Sequence, residues 1–296
     1  MTRPLWYAVA AYLLWGFFPL YFGLVRHVPT GEVMGHRIVW AGVLLGVIVL
    51  GSGRRRALAV VSRRVVGLYA MAAIVVGANW TIYVWAVGAG FVVETSLGYF
   101  ILPLVNVLLG VLVLHERLRR LQWIAVAIAA AGVLHLTRTY GAPPWIALGL
   151  AATFGTYGLI KKRAPLAALE GLFIETVTLA PLALLYLAVQ WRAGEGLFLR
   201  TDVTTDLLLI GTGFITVVPL ALFAAAVRRV PLSVVGILQF FSPTIQFLIG
   251  IFVFREAFSK AQFVGFALVW AAIALFGIDG LIARGRTAPV QPVLTP

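Results

Sequence analysis

Residues 91–114 read FVVETSLGYFILPLVNVLLGVLVL. The run is apolar enough and long enough to cross a bilayer as a helix, which takes about 20 residues. It also carries Glu94, Tyr99, Pro103 and Asn106. Polar groups at membrane depth are costly unless they face protein or water, so one face of this helix is expected to turn toward an interior pathway. The stretch is echoed further on. Phe100, Pro103, Leu108, Gly110, Val113, Glu116 and Gln122 recur as Phe240, Pro243, Leu248, Gly250, Val253, Glu256 and Gln262, always 140 positions later. HERLRRLQW at 115–123 is matched by REAFSKAQF at 255–263 in the same frame. A constant offset without a gap points to two copies of one unit.

Composition fits a membrane protein throughout. Of 296 residues, 62% are hydrophobic and only 11% charged. A soluble domain has roughly 45–50% apolar and about 25% charged residues. The mean hydropathy of +1.02 leaves little room for a soluble domain. The net charge of +13 does not mark a nucleic-acid binder, because the basic residues sit in short runs between apolar segments. The chain has no cysteine, so disulfide and thiol chemistry do not arise. The first apolar segment, from Leu5 to about Val25, lacks a clear small-residue cleavage site and is expected to be retained.

Ten membrane spans are expected: 5–25, 32–51, 66–88, 92–114, 121–137, 144–160, 168–190, 204–226, 232–254 and 261–279. Basic residues set their direction. The runs Arg54–Arg56, Arg117–Arg120, Lys161–Arg163 and Arg228–Arg229 all fall on one side when the N-terminus is inside. Both termini are therefore expected in the cytoplasm, with membrane lipid headgroups as partners of these runs. Each half then holds five spans. An odd number reverses direction, so the second half is expected to be inverted relative to the first. Inverted repeats recur in secondary transporters, and some channels have them too. The division is 1–140 for the first repeat, 141–285 for the second and 286–296 for a disordered tail.

Several segments are familiar in this order: AAYLLWGFFPLYF (10–22), GEVMGHRIVW (31–40), GANW (77–80), ETSLGYFILPLVNVLLG (94–110), HERLRRLQW (115–123), YGLIKKR (157–163), IET (174–176), TVVPL (216–220) and QFFSPTIQFL (239–248). Over about residues 5–280 the chain closely resembles the RarD group of the EamA family, within the drug/metabolite transporter superfamily. The resemblance implies ten helices in two inverted repeats, cytoplasmic termini and a central cavity lined mainly by helices 1, 3, 4, 6, 8 and 9. Related members export amino acids and other metabolites.

Charged residues within spans are the first candidates for a substrate or proton pathway. Glu94 reads either as a cavity-facing carboxylate or as an interfacial acid suited to a helix N-terminus. Arg37 could clamp a substrate carboxylate, pair with Glu94 or Glu32 to close an outer gate, or snorkel to headgroups. His36 beside it titrates in a range suited to proton sensing, or is structural. Glu175 occupies the matching region of the seventh span and, by inversion, lies toward the opposite face from Arg37.

Neutral polar groups form the second set: Asn79 and Trp80 on the third span, Tyr99 and Asn106 on the fourth, and Gln239 and Gln246, seven apart, on the ninth. Such groups suit a neutral or zwitterionic solute, or they bond helices to one another. Pro103 and Pro243 are repeat mates, and each is expected to kink its span. Trp6, Trp15, Trp40, Trp123, Trp145 and Trp191 read as interface anchors.

No GxxxxGK[ST] loop, HExxH pair or GxSxG elbow is present. No enzyme, metal site or cofactor is expected. The expected function is secondary active transport of a small organic solute across the inner membrane by alternating access, outward and driven by an existing gradient. A passive facilitator or a lipid-type flippase is the alternative, and a homodimer is compatible with either.

Overall fold

The computed structural model describes residues 3–52, 61–114, 118–162, 164–227 and 238–286. Arg54–Arg56, Glu116, Arg228–Arg229, the start of the expected ninth span and the tail after 286 lie outside the described residues.

All regular structure among the described residues is helical. A lipid-facing backbone has to satisfy its own hydrogen bonds, which helices do. The helices are α1 (Arg3–Gly16), α2 (Phe18–Leu24), α3 (Thr30–Gly51), α4 (Arg63–Gly88), α5 (Val92–Leu114), α6 (Arg120–Tyr140), α7 (Trp145–Lys162), α8 (Ala168–Ala193), α9 (Val203–Val227), α10 (Phe241–Phe252) and α11 (Lys260–Arg286). Eight stretches are long and apolar enough to cross a membrane: α1 with α2, then α3, α4, α5, α6, α8, α9 and α11. Two expected spans, 144–160 and 232–254, correspond to α7 and α10. Neither is among the eight: α7 ends in Lys161 and Lys162, which lower its hydropathy, and α10, the described part of the ninth expected span, has 12 residues.

The first span breaks at Phe17, between α1 and α2. The cause is local. Trp15 would find its helical donor four residues on, at Pro19, which has no N–H. Pro19 instead sits in the first turn of α2. In contrast, α8 and α9 continue through Pro181 and Pro219, and α5 continues through Pro103. Pro243 lies in the first turn of α10, just after a turn at Gln239 and Phe240.

The chain divides into two compact units, residues 1–102 with 145–257 and residues 103–144 with 258–296. In the first, α3 packs against α8, α9 and α4, while α1 packs against α9 and α10, and α4 against α7 and α8. The α3–α8 pair is antiparallel: Gly35 faces Leu187, Gly42 faces Thr176 and Gly46 faces Phe173. α9 also runs antiparallel to α3. A Cβ on Gly213 would stand 2.6 Å from the Trp40 carbonyl carbon, so only glycine permits this approach.

In the second unit α6 and α11 pair antiparallel, with Gly132 against the Gly265 carbonyl and Leu268 and with Gly265 against Leu136. Arg119 and Asp279 close one end of the pair with a 2.6 Å ion pair. The repeat mates Gln122 and Gln262 play the same part. Each side chain accepts the backbone N–H three residues earlier, from Arg119 at 2.9 Å and from Ser259 at 2.6 Å. The two helices thus share the glutamine half of a capping box, and at α11 the Ser259 hydroxyl completes it by accepting the Gln262 N–H at 3.1 Å.

Candidate functional site

The N-terminal half of α3 is buried on every side: Glu32, Val33, Met34, Gly35, His36, Arg37 and Ile38 all lie inside. Arg37 is only 3% exposed. It is eight residues into the helix, about 10 Å along the axis. Its Nε donates to Thr216 Oγ1 at 2.9 Å. Thr216 in turn donates its own hydrogen to the Thr212 carbonyl, which leaves a lone pair free for the guanidinium. The close approach at Gly213 brings α9 within reach, since Arg37–Thr216 and Trp40–Gly213 share one antiparallel register.

The guanidinium carbon stands 4.5 Å from the centre of the Trp80 ring, 5.3 Å from Phe22 and 6.0 Å from Phe18. Phe22 also packs edge-on against Tyr83 at 6.0 Å, and Tyr83 lies against Tyr99. Arg37 Nη1 and the Tyr83 hydroxyl are both buried, with no hydrogen-bond partner among the described residues. A cation boxed by aromatic rings is held by ring quadrupoles. That attraction does not replace a counter-ion, and a buried unpaired charge is costly.

The acids expected to pair with Arg37 are engaged elsewhere. Glu32 Oε1 accepts the backbone N–H groups of Leu197 and Phe198 at 2.8 and 3.0 Å, which pins the loop after α8. Glu94, in the first turn of α5, accepts Ile146 N–H at 3.0 Å and Ala147 N–H at 3.4 Å. It therefore caps α7 across a helix boundary. Glu256 does the same for α5, accepting Val92 and Val93 N–H at 2.6 and 2.8 Å. Free N–H groups at a helix start are ready partners for a carboxylate.

His36 accepts from Trp40 Nε1 at 3.2 Å and lies 4.4 Å from the Phe198 ring. With Glu32, Trp191 and Phe198 it lines a cavity of about 270 Å³.

Glu175 forms a separate cluster. The antiparallel pairing of α3 and α8 puts it about 10 Å from Arg37 along their common axis. It is 1% exposed, 2.7 Å from Lys161 Nζ and 3.0 Å from the Tyr157 hydroxyl. Lys161 also lies 4.7 Å from the centre of the Tyr69 ring. Burial is tolerated here because the pair is closed and hydrogen-bonded.

The amides bridge helices. Asn79 donates to the Leu150 carbonyl at 3.0 Å and to Thr153 Oγ1 at 2.9 Å, tying α4 to α7. Gln246 donates to the Trp15 carbonyl at 3.1 Å. Tyr99 is half-buried, Asn106 is exposed, and Gln239 is half-buried in the turn before α10. Sequence reasoning missed Thr216, Tyr83, Phe22, Tyr157 and the pairing of Lys161. Thr216, Phe22, Tyr157 and Lys161 all fall inside segments that carry the family resemblance. Tyr83 does not. Among the described residues no group of three or more His, Asp or Glu side chains could hold a metal ion.

The profile of the EamA-like transporter family matches residues 2–138 and again 143–278. The chain belongs to the EamA-like transporter family. Protein RarD of Streptomyces exfoliatus is 44% identical over 95% of this chain and 90% of that protein. Protein RarD of Escherichia coli strain K12 is 38% identical over 95% and 96%. The uncharacterized transporter YojE of Bacillus subtilis is 43% identical over 91% and 92%. A solved crystal structure, 18% identical, superposes with a TM-score of 0.57 over 92% of this chain and 96% of that one. At that identity the likeness shows the fold alone. This EamA-like transporter is thus a multi-pass bacterial membrane protein that carries solute and is not an enzyme.

Proposed function

We propose that this EamA-like transporter is a secondary active exporter of a small organic solute, working by alternating access. The observation that carries the reading is Arg37: buried at membrane depth, hydrogen-bonded only through Nε among the described contacts, and boxed by Trp80, Phe22 and Phe18. A polar group kept in the membrane at such cost, without a counter-ion among the described residues, has a transported partner as its simplest use.

The two-repeat reading has independent support, while ten spans and cytoplasmic termini follow the sequence pattern and the family resemblance. One family profile matches twice, over 2–138 and 143–278. The second and seventh expected spans pack antiparallel as α3 and α8, and the fifth and tenth as α6 and α11. Helices that exchange under a two-fold axis in the membrane plane have this relation. Rocking of the halves would expose the interior to each side in turn. Glu94 and Glu175 are the candidate coupling acids, because gaining a proton would weaken, and losing it restore, the contacts by which they accept from α7 and Lys161. Outward direction and the inner membrane follow the family resemblance.

The test is counterflow in proteoliposomes loaded with a metabolite mixture, read by mass spectrometry with and without a pH gradient. Selective, saturable loss speeded by the gradient is the expected result. Selective loss that ignores the gradient, or fails to saturate, would replace the carrier with a facilitator or channel.

A further inference from the structure

We infer that Arg37, with Trp80, Phe22 and Tyr83, is the seat for the carboxylate of an organic anion with a flat apolar body. The inference rests on the carrier reading and adds the class of solute.

The residue types select the charge. The guanidinium has one nitrogen committed to Thr216 and Nη1 without a partner among the described residues. The carboxylates nearest in sequence are turned to backbone N–H groups: Glu32 through Oε1 to Leu197 and Phe198, with Oε2 buried and unpartnered among the described residues, and Glu94 to Ile146 and Ala147. Neither forms an ion pair with Arg37 among the described contacts. Lys161, the half-buried cation at Glu175, is already closed by that acid at 2.7 Å. Among the described residues Arg37 is the buried cation with hydrogen-bonding capacity to spare. A carboxylate would neutralise it and accept from Nη1. A guanidinium suits that task better than an ammonium because its planar fork matches a carboxylate.

The surroundings select the body. Trp80, Phe22 and Phe18 stand within 6.0 Å of the guanidinium, and Phe22 links it to Tyr83. The Tyr83 hydroxyl is buried and unpartnered, so it supplies a second donor on the same aromatic wall. A small, strongly hydrated inorganic ion gains nothing from such rings. A planar ring or short apolar chain beside the carboxylate does. An amine is disfavoured at Arg37 by like charge.

The experiment uses the purified full chain in detergent. Phenylacetate, phenylacetamide and phenethylamine share a body and differ in charge; acetate, chloride and inorganic phosphate lack the body. Binding is read as thermal stabilisation against probe concentration. Phenylacetate is expected to stabilise saturably, with the amide and acetate about tenfold weaker or more and the amine inactive. Arg37→Gln should weaken phenylacetate about a hundredfold. Arg37→Lys should restore part of that loss, since it returns the charge without the fork. Thr216→Val, which spares the charge, reports whether the helix packing survives and should keep binding within about tenfold.

Equal binding of acid and amide, binding of the amine, a response to chloride or phosphate alone, or no saturable response from folded protein would each overturn the inference. So would Arg37→Gln with unchanged affinity. The two readings fail separately. Counterflow that selects amines leaves the carrier standing and removes the anion seat. Arg37-dependent phenylacetate binding without counterflow of any solute does the reverse.

Discussion

Gln246 donates to the one carbonyl of α1 that Pro19 leaves without its helical donor. Trp15 would bond the N–H of residue 19 in a continuous helix, and proline has none. The Gln246 amide fills that role from α10, at 3.1 Å. The break in the first span and the amide 231 positions later are therefore one device. Gln246→Leu should destabilise the protein by about 1–3 kcal/mol, since it strands a buried acceptor. Pro19→Ala restores a donor within α1 and should make Gln246 dispensable. A double-mutant cycle on thermal unfolding in detergent reads the coupling. Additive losses would mean that the two sites are independent.

Glu175 and Lys161 should behave as a unit. Lys161→Met leaves a buried carboxylate facing apolar groups, with only Tyr157 still donating to it. Breaking such a pair costs about 3–5 kcal/mol when both partners are fully buried. Lys161 retains 22% side-chain exposure, so the lower end of that range is expected. Lys161→Met with Glu175→Leu should recover most of the loss. If the double substitution is no more stable than Lys161→Met alone, the pair does not carry the stability assigned to it.

Much of this architecture is legible in the sequence, and the residues show where legibility stops. The echo of Gln122 in Gln262 became two helices started by the same glutamine contact, because that contact depends on a neighbour three residues away. Glu94 could be placed at a helix start and within reach of a dipole. Its partners, two backbone N–H groups of α7, have no side-chain signature to find. Arg37 was visible as a membrane-depth charge. Its partner Thr216 lies 179 positions on, and spacing reports the face of a helix but not which helix meets it. In the sequence Lys161 marks only orientation, because it sits in a basic run. Only the fold brings Glu175 to it.

Glu256 offers a pH test outside the spans. It accepts Val93 and Val92 N–H, which favour its ionised form. Burial outweighs them, the nearby Glu94 adds to it, and the carboxyl is held above the ordinary value near 4.5. The sign follows from linkage. A raised carboxyl favours folding in its protonated form, so its contribution is full below the ordinary value and is lost as pH rises through the folded one. The stability of the wild type relative to Glu256→Gln should therefore fall as pH increases from about 4 to 7. Thermal unfolding at stepped pH gives the difference directly. A constant gap across that range would show that Glu256 does not titrate in this way.

Glu94→Gln separates capping from coupling. The amide oxygen can still accept from Ile146, so α7 should keep its cap and the protein its fold. What disappears is the proton. If Glu94 is the coupling acid, exchange of unlabelled for labelled solute persists while transport driven by a pH gradient stops. An unchanged gradient response would move the role to Glu175, where Glu175→Gln is the matching experiment.

Arg37 should cost stability when no solute is bound. An unpaired buried guanidinium loses more hydration than three rings and one hydroxyl return. Arg37→Met fills a similar volume with an apolar chain that suits Phe18, Phe22 and Trp80. Replacing buried ionic groups by apolar ones is often stabilising, by about 1–4 kcal/mol. The variant is expected to unfold at a higher temperature than the wild type and to lose selective counterflow. Stability gained together with transport lost is the pattern of a residue kept for function. A variant that unfolds earlier than the wild type would show instead that Arg37 holds α3 to α9, with Thr216 as its structural partner.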